Sequence, residues 1–145
     1  MAEPTALAGT LTDAGHELIQ RVYFEDTDFS GRVYHARYLH FMERGRSDYM
    51  RLLGVHHQEL AAEGLAFVVR RMAIDFVRAA AIDDLLTIRS RMLEIGGARL
   101  VLGQEVRRGG EVLVTADVTV ALIGRSGRAS RLPDEVREAF RPSPL

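Results

Sequence analysis

Only one stretch of this 145-residue chain repeats apolar residues at helical spacing over a long run; most other apolar stretches alternate. Between residues 35 and 53, Tyr38, Phe41, Met42, Gly45, Tyr49, Leu52 and Leu53 recur in steps of three and four. That spacing draws one stripe along a helix of about five turns. Arg37, Glu43, Arg44, Ser47, Asp48 and Arg51 lie mostly off the stripe, and Gly54 is a suitable stop. A helix of this kind must bury its stripe, and the alternating segments supply a sheet to bury it against.

Residues 18–25 alternate, with Leu18, Gln20, Val22 and Phe24 on one face, which predicts a strand. Residues 26–31 are rich in turn formers. A short helical piece over 56–63 ends at Gly64. Alternating segments then follow at 65–77, 85–93, 99–107 and 111–123, with Gly109-Gly110 as a hairpin signal. Their short connections favour antiparallel pairing. Pro133 opens a terminal helix over 134–140. The expected fold class is α+β, one long helix packed on an antiparallel β-meander. The expected organisation is a single domain over 1–145, with 1–16 as a loose leader.

Composition narrows the functional classes. Cysteine is absent, which removes disulfides, thiolate metal sites and cysteine nucleophiles. The formal net charge of −1 offers no basic excess for nucleic acid. No apolar run approaches the ~18 residues that suggest a membrane span. The first residues, MAEPTALAG, have no basic region ahead of a hydrophobic one, so no signal peptide is expected and the expected location is cytoplasmic. All 19 basic residues are Arg. A GC-rich coding sequence accounts for that, so an arginine alone marks no site.

The sharpest chemistry lies between residues 21 and 46, where the first strand turns into the long helix. Asp26, Asp28 and His35 fall around the expected helix N-terminus, which offers free N–H donors and a partial positive charge. Asp28 is suited to attack an acyl carbonyl or to activate water, and equally to form a turn or cap. Asp26 is better suited to the turn. His35 offers a ring to orient substrate and a backbone N–H to polarise a carbonyl, and is equally at home as a surface histidine. His56-His57 and Glu59 do not make a metal set: adjacent residues face apart on a helix, and no HExxH pattern occurs. Gly124-Arg125-Ser126-Gly127-Arg128 is one residue out of register for a nucleophile elbow, and no phosphate-binding glycine motif occurs. Arg70-Arg71 and Arg107-Arg108 alternate across strands and read as solvated edge charge.

The string Tyr23-Phe24-Glu25-Asp26-Thr27-Asp28, with Gly31, Val33-Tyr34-His35-Ala36, Tyr38 and Phe41-Met42-Glu43-Arg44, resembles a known family. It is similar to the hotdog-fold acyl-CoA thioesterases of the 4-hydroxybenzoyl-CoA thioesterase type, and especially to the Tol–Pal-associated subgroup. Phe67-Val68-Val69-Arg70-Arg71 leading to Asp83-Asp84-Leu85, and later Leu132-Pro133, carry the resemblance over about 21–140. The resemblance implies a hotdog fold, a long central helix wrapped by an antiparallel β-sheet. It implies homodimers joined sheet edge to sheet edge, or homotetramers of these, with thioester hydrolysis at sites between subunits. The family's catalytic aspartate falls on Asp28. The position whose N–H faces the thioester carbonyl falls on His35, and the subgroup also uses the histidine there. Phe24, Gly31, Val33 and Tyr34 fall around the substrate, with Phe24 where the subgroup commonly has Tyr. Arg99 is the cation left beside 96–98, the stretch where some relatives hold the CoA phosphates. The implied substrate is acyl-CoA, with acyl carrier protein as a second acyl carrier. Coenzyme A is part of the substrate, so no cofactor and no metal are implied. A non-catalytic acyl-CoA or acyl-carrier-protein binding module, or a scaffold for lipid enzymes, is the alternative. A hydratase of the same fold would need a His–acid motif that does not occur.

Overall fold

The structure, a computed structural model, describes residues 9–141. Its elements in order are β1 (Thr10–Thr12), β2 (Gly15–Arg21), a 3-10 turn (Phe24–Asp26), α1 (His35–Leu52), α2 (His57–Ala62), β3 (Ala66–Phe76), β4 (Leu85–Ile95), β5 (Arg99–Arg108), β6 (Glu111–Ile123) and α3 (Asp134–Phe140). The strands form one six-stranded sheet in the order β1-β2-β4-β5-β6-β3, antiparallel at every pairing. The helix α1 lies against β2, β4 and β5. This is the hotdog arrangement that the resemblance implied.

Burial follows the stripe. Tyr38, Phe41, Met42, Gly45 and Tyr49 are buried on α1, which packs against β4 and β5, where Leu86, Ile88, Leu100, Leu102 and Val106 are buried. At Gly45 helix and sheet approach closely: a Cβ there would stand 3.0 Å from Ile88 Cγ2 and 3.3 Å from Ser90 Oγ. Gly45→Leu is therefore expected to overpack this contact at a cost of about 1–3 kcal/mol, read as a lowered Tm. A Tm at or above wild type would contradict the placement.

Four expectations need correction. First, residues 10–12 and 15–16 are not loose: Thr12 and Gly15 pair across a two-residue turn, so β1 and β2 form a hairpin. The part of the leader over 1–8 lies outside the described residues. Second, the first strand stops at Arg21, not at 25. Asp26 Oδ2 accepts the Tyr23 N–H at 2.9 Å, and Thr27 N–H bonds to Phe24 O at 3.1 Å, so the backbone curls into a 3-10 turn instead of extending. Third, the sheet is not a simple meander. The strand β3 pairs with β6, which leaves β3 at the edge. The connection over 77–84 is long enough for β4 to cross and pair with β2 instead. Fourth, polar side chains enter the helix–sheet interface. His16 is buried, stacks on Tyr49 and bonds through Nε2 to Asp48 Oδ2 at 2.7 Å. Arg46 is also buried, and its Nη1 donates to Gln104 Oε1 at 2.9 Å.

Candidate active site

The segment between β2 and α1 closes on itself through the backbone. Tyr34 N–H bonds to Asp26 O at 2.9 Å, Thr27 bridges Val33, and Asp28 N–H bonds to Arg32 O at 3.0 Å. At the tip, Gly31 N–H returns to Asp28 O at 3.0 Å. Gly31 has φ +79, the left-handed region a glycine enters without strain, and a Cβ there would meet nothing within 4 Å. Its contribution is thus the turn rather than a contact. The loop is anchored to the connection before β4 by Val33 N–H, which bonds to Ala80 O at 2.9 Å. Ala80 N–H in turn donates to the hydroxyl of buried Tyr38 on α1, also at 2.9 Å. Burial raises the Tyr38 phenol above its ordinary range, so it stays neutral in this role.

Asp28 stands exposed at the end of this loop. Its Oδ1 accepts hydrogen bonds from both the hydroxyl and the N–H of Ser30, the latter at 2.8 Å. These two bonds, the side-chain one first, hold the carboxyl below its usual range, with help from the charges of Arg32 and His35. Asp28 is therefore a carboxylate at any working pH. Helix α1 begins at His35 with Tyr34 as its N-cap and no side-chain cap. The helix end thus lacks the side-chain acceptor that usually quenches first-turn N–H groups. An anionic carboxylate beside an uncapped helix N-terminus can deliver negative charge or take a proton at one point, while N–H donors stabilise an oxyanion at another.

Asp26 has a different environment. It is buried, its Oδ2 is occupied by Tyr23 N–H, and its Oδ1 lies 3.7 Å from Arg37 Nε. Arg37 also donates to Glu25 O at 3.2 Å. Asp26 is thus the neck of the loop, tied to the first turn of α1. Tyr34 and Phe24 are exposed, and Val33 is buried beneath the turn. The His35 ring lies against Tyr34 at 4.6 Å and edge-on to Phe76 at 6.1 Å between centroids. Phe76 comes from the end of β3, so no local pattern could have found it. Ser30, two residues after an Asp in a turn, carried a readable signal for a side-chain-to-backbone bond.

Arg99 is not brought to this loop. The loop docks on Ala80 and Ala81 just before β4, whereas Arg99 follows the far end of β4 and pairs with Glu94 at 3.1 Å. A strand of that length separates them by roughly 30 Å within one chain. Among the described residues no group of three or more His, Cys, Asp or Glu is placed to hold a metal ion.

The sequence profile of the Thioesterase-like superfamily matches residues 22–140, from the start of this loop to the last helix. The chain belongs to the thioesterase-like superfamily. Within that superfamily it is 43% identical over 132 residues to the acyl-CoA thioesterase YbgC of Haemophilus influenzae, covering 90% of this chain and 97% of that protein. It is 39% identical over 104 residues to the acyl-CoA thioester hydrolase YbgC of Escherichia coli O6:H1, covering 71% of this chain and 78% of that one. Among solved structures, a probable thioesterase from Bartonella henselae superposes with a TM-score of 0.79 at 50% identity, covering 81% of this chain and 98% of that chain.

Proposed function

We propose that this protein hydrolyses acyl-CoA thioesters to the free acid and coenzyme A, with Asp28 as the acting carboxylate. The observation that carries the reading is Asp28, held in its turn by Ser30 beside the uncapped start of α1. The names of the relatives support the substrate class. Asp28 works in either of two ways from the same position. It attacks the thioester carbon, expelling thiolate and leaving a mixed anhydride that water opens. Or it takes a proton from the water that attacks. In both, the carbonyl oxygen becomes an oxyanion that the His35 N–H receives. A thiol pKa of roughly 8.5 lets the sulfur leave as thiolate with little help from an acid. The proposed site is correspondingly sparse: one carboxylate and one helix end. Acyl carrier protein thioesters present the same bond and are a second class of substrate to assay, and the cytoplasm is the proposed location.

The loop needs a second chain to become a pocket. The outer edge of β3 is unpaired among the described residues, and exposed Val68, Val69, Phe76 and Val77 lie on or next to it. An open, apolar edge strand is a pairing surface. Two chains joined antiparallel along β3 would bring the Ala66 end of one to the Phe76 end of the other. Loop 124–131 follows the β6 residues that pair with the Ala66 end. Its Arg125, Arg128 and Arg131 make no ion pair among the described residues, so they are cations free to meet a polyanion. On this reading CoA phosphates would meet the chain opposite the acting Asp28, and a homodimer or homotetramer is the proposed working form. Light scattering is expected to show a multiple of 16.2 kDa at micromolar concentration, and a monomer alone would remove the shared site.

The division of labour at the helix start is tested by thiol release from acyl-CoA with His35→Ala. The backbone N–H survives this substitution, so turnover is expected to fall by less than about tenfold, well short of the loss of a whole oxyanion donor. A loss equal to that of Asp28→Asn would mean that the imidazole itself takes part in the chemistry.

A further inference from the structure

We propose that Ser30 is a positioning residue for the reaction: it immobilises one oxygen of Asp28 so that the other alone is presented to the thioester. The inference rests on Asp28 being the acting carboxylate. Three bonds carry it. The Ser30 N–H and the Ser30 hydroxyl both end on Oδ1 of Asp28, and neither goes to Oδ2. The Ser30 hydroxyl oxygen also accepts the Arg32 N–H at 3.3 Å. A hydroxyl that accepts a bond becomes a better donor, so the chain from Arg32 N–H through Ser30 to Asp28 is polarised in one direction. The hydroxyl proton is committed to Oδ1, because the lone pair facing Arg32 is already used.

The consequence is geometric. An exposed aspartate normally rotates about χ2 and presents either oxygen. Here Oδ1 is held by two donors from a turn whose own closure, Gly31 N–H to Asp28 O, fixes the backbone beneath it. Only Oδ2 is left without a protein donor, and a nucleophile or base needs such an oxygen. The charged and titratable groups facing Asp28 are Arg32 across the turn and His35 from the start of α1. Neither makes a hydrogen bond to either oxygen among the described residues. Ser30 is the group that distinguishes them.

The test is steady-state thiol release from an acyl-CoA at pH 7.5 by Ser30→Ala, Ser30→Thr and Asp28→Asn, with Tm measured for each. Ser30→Ala keeps the N–H bond and loses the hydroxyl bond. Its kcat is expected to fall about tenfold with KM and Tm unchanged, the usual scale for one hydrogen bond to a charged group. Ser30→Thr keeps both donors and should restore kcat to within about twofold, whereas a merely structural turn residue would show no such split and rescue. Carbon-detected titration of the Asp28 carboxyl should move to higher pH in Ser30→Ala, since a bond that favours the charged form is gone. If Asp28→Asn is inactive while Ser30→Ala turns over like wild type, the positioning role is overturned and Asp28 stands. If Asp28→Asn turns over like wild type, the reading of Asp28 falls and the role of Ser30 falls with it.

Discussion

Asp28→Asn is expected to lower acyl-CoA turnover by about 10²–10⁴-fold, the range typical for a positioned acid–base or nucleophilic group. The substitution keeps size and keeps an oxygen for the Ser30 donors, but the side chain is neutral and can neither attack nor take a proton. Folding should be unaffected, because the side chain is exposed and its bonds stay within the turn. The effect should therefore fall on kcat, with KM nearly unchanged. Asp26→Asn is the informative comparison. Asp26 is buried at the neck of the loop with Tyr23 N–H and Arg37 as its partners. Its loss should appear first as a lowered Tm, with turnover reduced only as the loop loosens. An inactive Asp26→Asn beside a fully active Asp28→Asn would reverse the roles of the two carboxylates.

Gln104→Leu is expected to be the most damaging single change to stability outside the hydrophobic core, at about 3 kcal/mol. Gln104 is buried and satisfies three groups at once. Its Nε2 donates to Met42 O at 2.9 Å and to Ser90 Oγ at 2.8 Å, and its Oε1 accepts from Arg46. Burial already pulls the Arg46 guanidinium below its ordinary range, and the carboxylate nearest it, Glu43, stands 3.6 Å away and is largely exposed. Leucine would leave a buried cation with one distant partner. Tm should drop by about 10 °C. The double variant Arg46→Met with Gln104→Leu should recover most of that loss, because a buried polar pair replaced by apolar side chains leaves nothing unpaired. A double variant no more stable than Gln104→Leu would show that the pair does not act as a unit.

The parts of this fold that could be read from the sequence are those fixed within a few turns of chain. The start of α1 at His35, the span of β6 and the span of α3 all follow from local periodicity and stop signals. The place of β3 at the sheet edge was not legible, because pairing β3 with β6 is decided by partners some fifty residues apart. For the same reason Asp48 looked like surface charge on α1, while its partner His16 lies on a distant strand. At the site, Asp28, Gly31 and His35 were legible because one turn carries them. Their neighbour Phe76 was not, and Arg99 matched a family position that the chain's own fold sets at the other end of the sheet.

The most direct measurement is thiol release by the purified wild-type protein from a panel of short-chain, long-chain and aromatic acyl-CoA thioesters, with binding of each followed in parallel. A thioesterase built on Asp28 should turn over at least one of them, releasing free acid and thiol in equal amounts at a rate that collapses in Asp28→Asn while binding persists. Binding of acyl-CoA with no thiol released above the Asp28→Asn rate would contradict it, and would make the protein a binding module on a thioesterase fold.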